Sequence, residues 1–445
     1  MARRPNIIFY FSDQQRWDTM GCYGQRLPVT PVLDHLAEEG TLFENAYTCQ
    51  PVCGPARACV QTGLYATEVG CHKNHHILPV GMDTLARRMI AGGYETAYIG
   101  KWHLASMQGS SYRTEPVPVE RRGGYEYWMV ADALEATSHG YNGYVFDGDM
   151  KRHDFVGHRI DCINAYAIDY LHKYAEKESD KPFFLFVSQL DPHHQNDRNR
   201  YEGPDGSKKK WADYDVPGDL VGLDGDWKEN YPDYLGQCNL LDQNIGKLMD
   251  TLDDLGLKDD TILFYTCDHG SHFKTRNSEY KRACEDGCLH IPLIAWGGPF
   301  MGGGRKDEMV SLLDMPSTVL DAAGLEVPAH YRGDSLVPLA KGEAENWKDV
   351  VYAQISEVQT ARTIRTHDYK YAVRAPEFDI AQPFSGVYAE DKLYDLKRDP
   401  HERNNLINDP AYASVRDALR EKLLECMKKA NEPECTILKA PAEKE

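Results

Sequence analysis

Asn6-Ile7-Ile8-Phe9-Tyr10-Phe11 decides the fold class. The run stays apolar instead of alternating, so both faces are covered, as in a parallel strand buried between helices. Polar Ser12 and Asp13 end it. Outward from this strand the same grammar repeats. A helix is expected over Pro31–Glu39, with Thr30 as N-cap. Another fits Met82–Ala91 and stops at Gly92-Gly93. Strands follow at Thr96–Ile99, Phe183–Val187, Thr261–Thr266 and Ile291–Trp296. Helices fit Arg159–Glu176 and Asp233–Leu255. Strands alternating with helices predict an α/β fold, a large mostly parallel sheet flanked by helices. The Gly- and Tyr-rich region Ser106–Asp154 has no clear period, and Lys208–Lys210 reads as a solvated loop face.

From about Trp347 the pattern shifts to short β-like runs at Val350–Ile355, Tyr369–Val373 and Lys392–Leu396, then a helix near Ser414–Lys429. This predicts two domains: a large α/β domain over 1–346 and a small C-terminal α+β subdomain over 347–445. The 445 residues are 42% hydrophobic and 27% charged, ordinary for a globular chain.

Acidic residues outnumber basic ones, 69 to 50, for a net charge of -19. That argues against nucleic acid or an anionic membrane as a partner. A small anionic substrate is compatible with it, because salt screens exposed charge beyond about 8 Å. No run approaches the roughly 20 apolar residues of a membrane span. Met1–Pro5 is basic but leads into a strand without the apolar core of a secretory signal. The expected location is cytoplasmic, or exported with the signal removed. The 12 cysteines include no CxxC pair, so zinc-ribbon and thioredoxin readings fail and reduced thiols are expected.

Chemistry gathers at strand ends. The first strand runs into Ser12-Asp13-Gln14, the second into Gly100-Lys101-Trp102-His103, the third into Asp191-Pro192-His193-His194, and the fourth into Cys267-Asp268-His269-Gly270. Ligands of open α/β sheets bind outside the carboxyl ends of strands, so these segments should share one rim. Each alone has a plainer reading. An Asp after a strand is often a cap or turn residue, and a His pair can be a surface feature. Cys53-Gly54-Pro55-Ala56-Arg57 has a plain reading too, a buried cysteine before a helix with Pro55 in its first turn. A helix N-terminus also lowers a thiol pKa, so a simple thiolate nucleophile is a second reading.

Together these segments resemble the type I sulfatases of the alkaline-phosphatase superfamily. The resemblance spans nearly the whole chain. It rests on Asn6–Phe9 leading to Ser12-Asp13-Gln14-Gln15-Arg16, on Cys53–Arg57 with Thr62-Gly63-Leu64-Tyr65, on Gly93–His103, on Asp268-His269-Gly270, and on Leu393-Tyr394-Asp395-Leu396 with Asp399-Pro400 and Glu402. CxPxR alone is moderately specific; this ordered set is highly specific.

The resemblance implies a sulfuric ester hydrolase acting on an aryl, steroid or carbohydrate sulfate. It implies that Cys53 is oxidised to formylglycine by a maturation enzyme that reads CxPxR. The hydrated aldehyde offers two hydroxyls, one to attack sulfur and one to expel sulfate. Asp13, Gln14, Asp268 and His269 match the metal ligands beside Cys53. Oxygen-rich ligation suggests Ca²⁺, with Mg²⁺ second. His269 departs from the commonest Asn, and Gln14 from a second Asp, which bears on metal identity. Arg57 and Lys101 match groups that hold the nucleophile and the sulfate. His103 matches the base that triggers sulfate release. His193 and Lys281 match groups that contact sulfate and protonate the leaving oxygen. Lys281, nine residues before His290, fits better than Lys274, and His193 better than His194 because it follows Pro192. Tyr112–Tyr144 and Gln195-Asn196-Asp197 are expected to shape specificity. The alternative within the superfamily is a phosphate or phosphonate ester hydrolase; a binding protein without turnover would require a broken constellation.

Overall fold

The structure is a computed structural model that describes residues 4–106, 111–177 and 179–441. Met1–Arg3 of the basic N-terminal stretch, residues 107–110 of the unassigned middle region and the last four residues of the C-terminal region lie outside the described residues.

Strand β1 (Asn6–Ser12) sits inside an 11-stranded sheet. The other strands are β2 (Thr41–Tyr47), β3 (Glu95–Lys101), β4 (Tyr127–Ala131), β5 (Ser138–His139), β6 (Asn142–Asp147), β7 (Arg152–Val156), β8 (Phe183–Ser188), β9 (Thr261–Cys267), β10 (Leu293–Trp296) and β11 (Gly304–Ser311). Their order is β11-β2-β10-β9-β1-β8-β3-β4-β6-β5, with β7 on β6. The five strands β9, β1, β8, β3 and β4 are mutually parallel. Antiparallel pairing enters at β10 on one side and at β6 on the other.

Alternate β1 residues enter two different cores, which explains the unbroken apolar run. Ile7, Phe9 and Phe11 join one core; Ile8 and Tyr10 join the other. Phe9 opposes Phe186 and Phe264 in register and stacks on the Phe186 ring at 4.8 Å. Helices α1 (Pro31–Glu39), α2 (Cys53–Thr62), α3 (Leu85–Ala91), α4 (Arg159–Glu176) and α5 (Trp227–Asp254) flank the sheet.

Several expected boundaries moved for physical reasons. Thr30 does not cap α1 with its side chain. The N–H groups of Val32 and Leu33 donate instead to the Asp242 carboxylate on α5. Thr84 caps α3, so that helix starts at Leu85 rather than Met82. Helix α5 begins six residues early and carries Pro232 inside it, where a proline gives up one helical hydrogen bond. The basic run at Lys208 belongs to one exposed helical turn, Ser207–Lys210. All twelve cysteines are free. Among the described residues no helix is long and apolar enough to cross a membrane.

A second sheet holds β12 (Val350–Ile355), β13 (Ala361–Thr366), β14 (Tyr369–Arg374), β15 (Val387–Asp395) and β16 (Thr436–Leu438) in that order. Helix α6 (Ala413–Lys429) buries Leu419, Leu423 and Met427 against Tyr352, Ile364 and Tyr371.

Candidate active site

Because β9, β1, β8 and β3 are neighbours and parallel, their carboxyl ends share one rim. Asp13 and Gln14 follow β1, Lys101 ends β3 with His103 just beyond, His193 and His194 lie past β8, and Asp268 and His269 follow β9. Helix α2 points its N-terminal residue, Cys53, at the same place. Cys53 is 1% exposed, and Asp13, Lys101, Asp268 and His269 are 0% exposed, so the charges here act on one another more strongly than exposed charges do.

Cys53 Sγ lies 3.4 Å from Asp13 Oδ1 and 3.2 Å from His269 Nε2. Lys281 Nζ donates to Cys53 Sγ at 2.8 Å and stands 3.3 Å from both His193 Nε2 and His269 Nε2. Arg57 donates to Asp13 Oδ2 at 3.0 Å, to the Lys101 carbonyl at 3.1 Å and to Ser188 Oγ at 2.6 Å. Lys101 Nζ donates to Asp13 Oδ2 at 2.8 Å. His103 lines the same cavity, its Nδ1 buried with no hydrogen-bond partner.

The two alternatives named for these positions lie further out. Lys274 is tied to Asn199 at 2.9 Å and Asp226 at 3.2 Å. His194 bonds Asn196 at 3.3 Å. Gln14 stands at the edge of the cluster. Its backbone N–H donates to Asp268 Oδ1 at 3.1 Å, while its amide nitrogen donates to Tyr201 and Ser271.

Burial and charge set the protonation states. Burial opposes ionisation of Asp13, but Lys101, with Arg57, holds it well below the usual carboxylate range. Burial and then Asp13 push Asp268 up. Burial, then Asp13, raises the Cys53 thiol to about 12, against the pull of Lys101 and Lys281. Desolvation thus outweighs the helix field at this thiol, which counts against the simple thiolate reading. Burial, with Lys281 and Lys101 adding to it, keeps His193 neutral, and burial with Lys101 and Arg57 does the same for His103.

Four donors, Asp13, Cys53, Asp268 and His269, lie within 4.8 Å of one another and could hold a metal ion. Their details fit one. A carbonyl only accepts, so His269 Nδ1 donates to the Gly270 carbonyl at 2.9 Å. That leaves the Nε2 lone pair facing the cluster, the tautomer a metal needs. Asp268 Oδ2 is buried without a hydrogen bond, 3.4 Å from the Arg57 guanidinium. Two buried carboxylates side by side are what a cation relieves.

The sequence reading missed several neighbours. Ser188 ends β8 and could have been found by the strand-end argument. Asn74, whose Oδ1 accepts the Gly54 N–H at 2.9 Å, sits in the His-rich stretch Cys71–His76. Glu135 and Arg113 come from the middle region that showed no period. The cavity they line with Cys53 has a volume of about 410 Å³. Of the stretches expected to shape specificity, Tyr112–Tyr144 contributes Arg113 and Glu135 to the lining and Gln195-Asn196-Asp197 contributes Asn196, while Tyr112 lies under Arg121 and Tyr144 under Arg152.

A sulfatase family profile matches residues 5–325, and a profile for the C-terminal region of N-sulphoglucosamine sulphohydrolase matches residues 279–429. The chain belongs to the sulfatase family. This sulfatase is 27% identical to an N-acetylglucosamine-6-O-sulfatase of Bacteroides thetaiotaomicron, over 97% of this chain and 88% of the relative. A solved structure in complex with its substrate D-glucosamine-2-N,6-O-disulfate superposes with a TM-score of 0.77 at 25% identity, covering 96% of this chain and 98% of that one. A phosphonate monoester hydrolase of Agrobacterium radiobacter shares the fold at a TM-score of 0.71 and 22% identity, over 96% of each chain. The sulfatase is thus a sulfuric ester hydrolase with an alkaline-phosphatase-like fold. Its family implies a metal and a formylglycine.

Proposed function

We propose that the sulfatase releases inorganic sulfate from a small sulfated substrate with Cys53, matured to formylglycine, as its nucleophile. The observation that carries this is the convergence on Cys53 of Lys281, His193 and the Asp13–Asp268–His269 group. The mature side chain would supply a hydrated aldehyde, one hydroxyl attacking sulfur and the other expelling sulfate. Asp13, Gln14, Asp268 and His269 would hold the metal beside it, Ca²⁺ by ligand chemistry and Mg²⁺ second. When bound, the cation would orient the nucleophile and draw charge from the sulfate oxygens.

The rest is done by this chain's own groups. Arg57 and Lys101 fix Asp13 and present positive charge to the sulfate. Lys281 Nζ holds the proton nearest the nucleophile. His193 donates from Nδ1 to the His194 carbonyl at 2.6 Å, so its Nε2 faces Lys281 as an acceptor. These two groups contact the sulfate and protonate the leaving oxygen. His103, kept neutral, is the base that triggers sulfate release. Residues 1–346 form the catalytic domain and 347–445 the C-terminal subdomain, a division supported by the separate second sheet. A maturation enzyme acting at Cys53–Arg57 is the implied partner.

Two measurements test the reading. Conversion of Cys53 lowers the mass of its peptide by about 18 Da, as loss of the thiol sulfur and two hydrogens for an aldehyde oxygen requires. Protein made with a maturation enzyme should show that shift and release sulfate. Turnover by an unconverted thiol would refute the formylglycine mechanism. A preference for aryl phosphate over the matched aryl sulfate would return the phosphate or phosphonate alternative.

A further inference from the structure

Glu135 is the second residue of a short helix, Leu134–Thr137, that follows β4 on the active-site rim. Its carboxylate lines the cavity with Cys53, His103, His193 and Lys281. The side chain is 9% exposed. Its Oε2 has no hydrogen-bond partner. The nearest cation, Lys101 Nζ, is 3.4 Å away and already donates to Asp13 at 2.8 Å. Burial resists the charge, yet Lys101 holds the acid ionised, down to about 2. The backbone around it is pinned: Gln195 Nε2 donates to the Glu135 carbonyl at 3.0 Å, and Arg159 fixes Gln195 in turn.

An ionised carboxylate is an acceptor only. It repels sulfate oxygens, so it cannot serve the anionic half of the substrate. Its Oε2 accepts no hydrogen bond and shares Lys101 with Asp13, so an acceptor position stays open toward the cavity. A donor on the alcohol half of the substrate fills that position. The other lining groups suit such a partner, since Asn74, Asn196 and Asn199 are polar and Tyr280 is the only Phe, Tyr or Trp among the described lining residues.

We propose that Glu135 is a specificity residue that accepts a hydrogen bond from a hydroxyl or amino group flanking the sulfated carbon, so that sulfated sugars are selected over aryl sulfates lacking that donor. This rests on the sulfatase reading above. It assigns a substrate class and a side chain that the metal and nucleophile do not involve.

The test compares kcat/KM for sulfate release from 4-nitrophenyl sulfate with that from ring-position monosulfates of glucose, galactose and N-acetylglucosamine. The proteins are mature wild type, Glu135→Gln and Glu135→Met, each checked for unchanged thermal unfolding. Wild type should favour at least one sugar sulfate tenfold or more. Glu135→Met should cut the sugar-to-aryl ratio at least tenfold, and Glu135→Gln, which keeps an acceptor, by less. The preferred sugar with its neighbouring hydroxyl replaced by hydrogen should lose the same factor in wild type and nothing further in Glu135→Met. Parallel losses on sugar and aryl sulfates would mean that Glu135 only balances Lys101, and the proposal falls. So does an unmoved ratio, or a wild type active on the aryl sulfate alone; in each of these cases sulfate release leaves the sulfatase reading standing. Release of phosphate but no sulfate from matched esters would remove both.

Discussion

Lys281 reaches Cys53, His193 and His269 from one nitrogen, so its loss should be felt in turnover more than in folding. Lys281→Ala is expected to lower kcat about 10²-fold or more, the scale of a lost proton donor, with unfolding temperature little changed; steady-state sulfate release reads it. Chelation should abolish turnover, and Ca²⁺ should restore more than Mg²⁺ at equal free concentration. Asp268→Asn should raise the Ca²⁺ concentration needed, because it removes one of the two buried carboxylates. Most of these residues were legible in the sequence because strands end abruptly in charged groups, as at Phe11-Ser12-Asp13 and Thr266-Cys267-Asp268. Glu135 was not. It lies in a segment whose Gly and Tyr content gives no period, and a carboxylate after an unrecognised strand looks like any surface acid. The state of the Cys53 thiol was not legible for a related reason: local sequence shows the helix start but not the burial that overrides it.

At the scale of elements, the turn between β12 and β13 reaches into the active site. Glu357 in that turn accepts from Arg282 Nε at 2.6 Å and from the Asn74 backbone N–H. Arg282 adjoins Lys281, and Asn74 holds the Gly54 N–H at the start of α2. One side chain of the second sheet thereby ties both sides of the catalytic cavity. The ion pair is mostly buried, with side-chain exposures of 13% for Arg282 and 12% for Glu357. Glu357→Gln should cost about 3 kcal/mol of stability, the scale for stranding a buried partner. It should also lower kcat on the order of tenfold, as loss of a supporting contact does. Arg282→Gln should do the same, and the double variant little more; thermal melts and kinetics of the three proteins check this. The strands β12 and β14 were visible in the sequence as β-branched and aromatic runs. The turn's role was not, because Glu357 and Arg282 are 75 positions apart in the chain.

Across the whole molecule, a buried ionic group joins the two sheets. Lys370 of β14 bonds Asp286 and pairs with Glu402, and Asp286 lies five residues past Lys281. Burial raises the Glu402 carboxyl; Lys370 offsets part of this, while Asp286 and Glu285 add to it. The folded chain therefore binds that proton more tightly than the unfolded chain does. The stabilisation is full below the ordinary glutamate value of 4.5 and is lost as pH rises through the folded-state value. Glu402's share of the unfolding temperature should fall as pH climbs from about 5 into the alkaline range, so the pH profiles of wild type and Glu402→Gln should differ by a slope of that sign. Identical slopes would show that Glu402 is not the group responsible. The sheet architecture was legible from periodicity, but this seam was not, since its members come from three distant segments. The depth of α2 has a consequence in time. Every residue of that helix is buried, Cys53 included. Under the proposed maturation of Cys53, an enzyme that grips the backbone around it would have to meet the chain before it closes. The share of molecules converted during synthesis would then set how many can turn over.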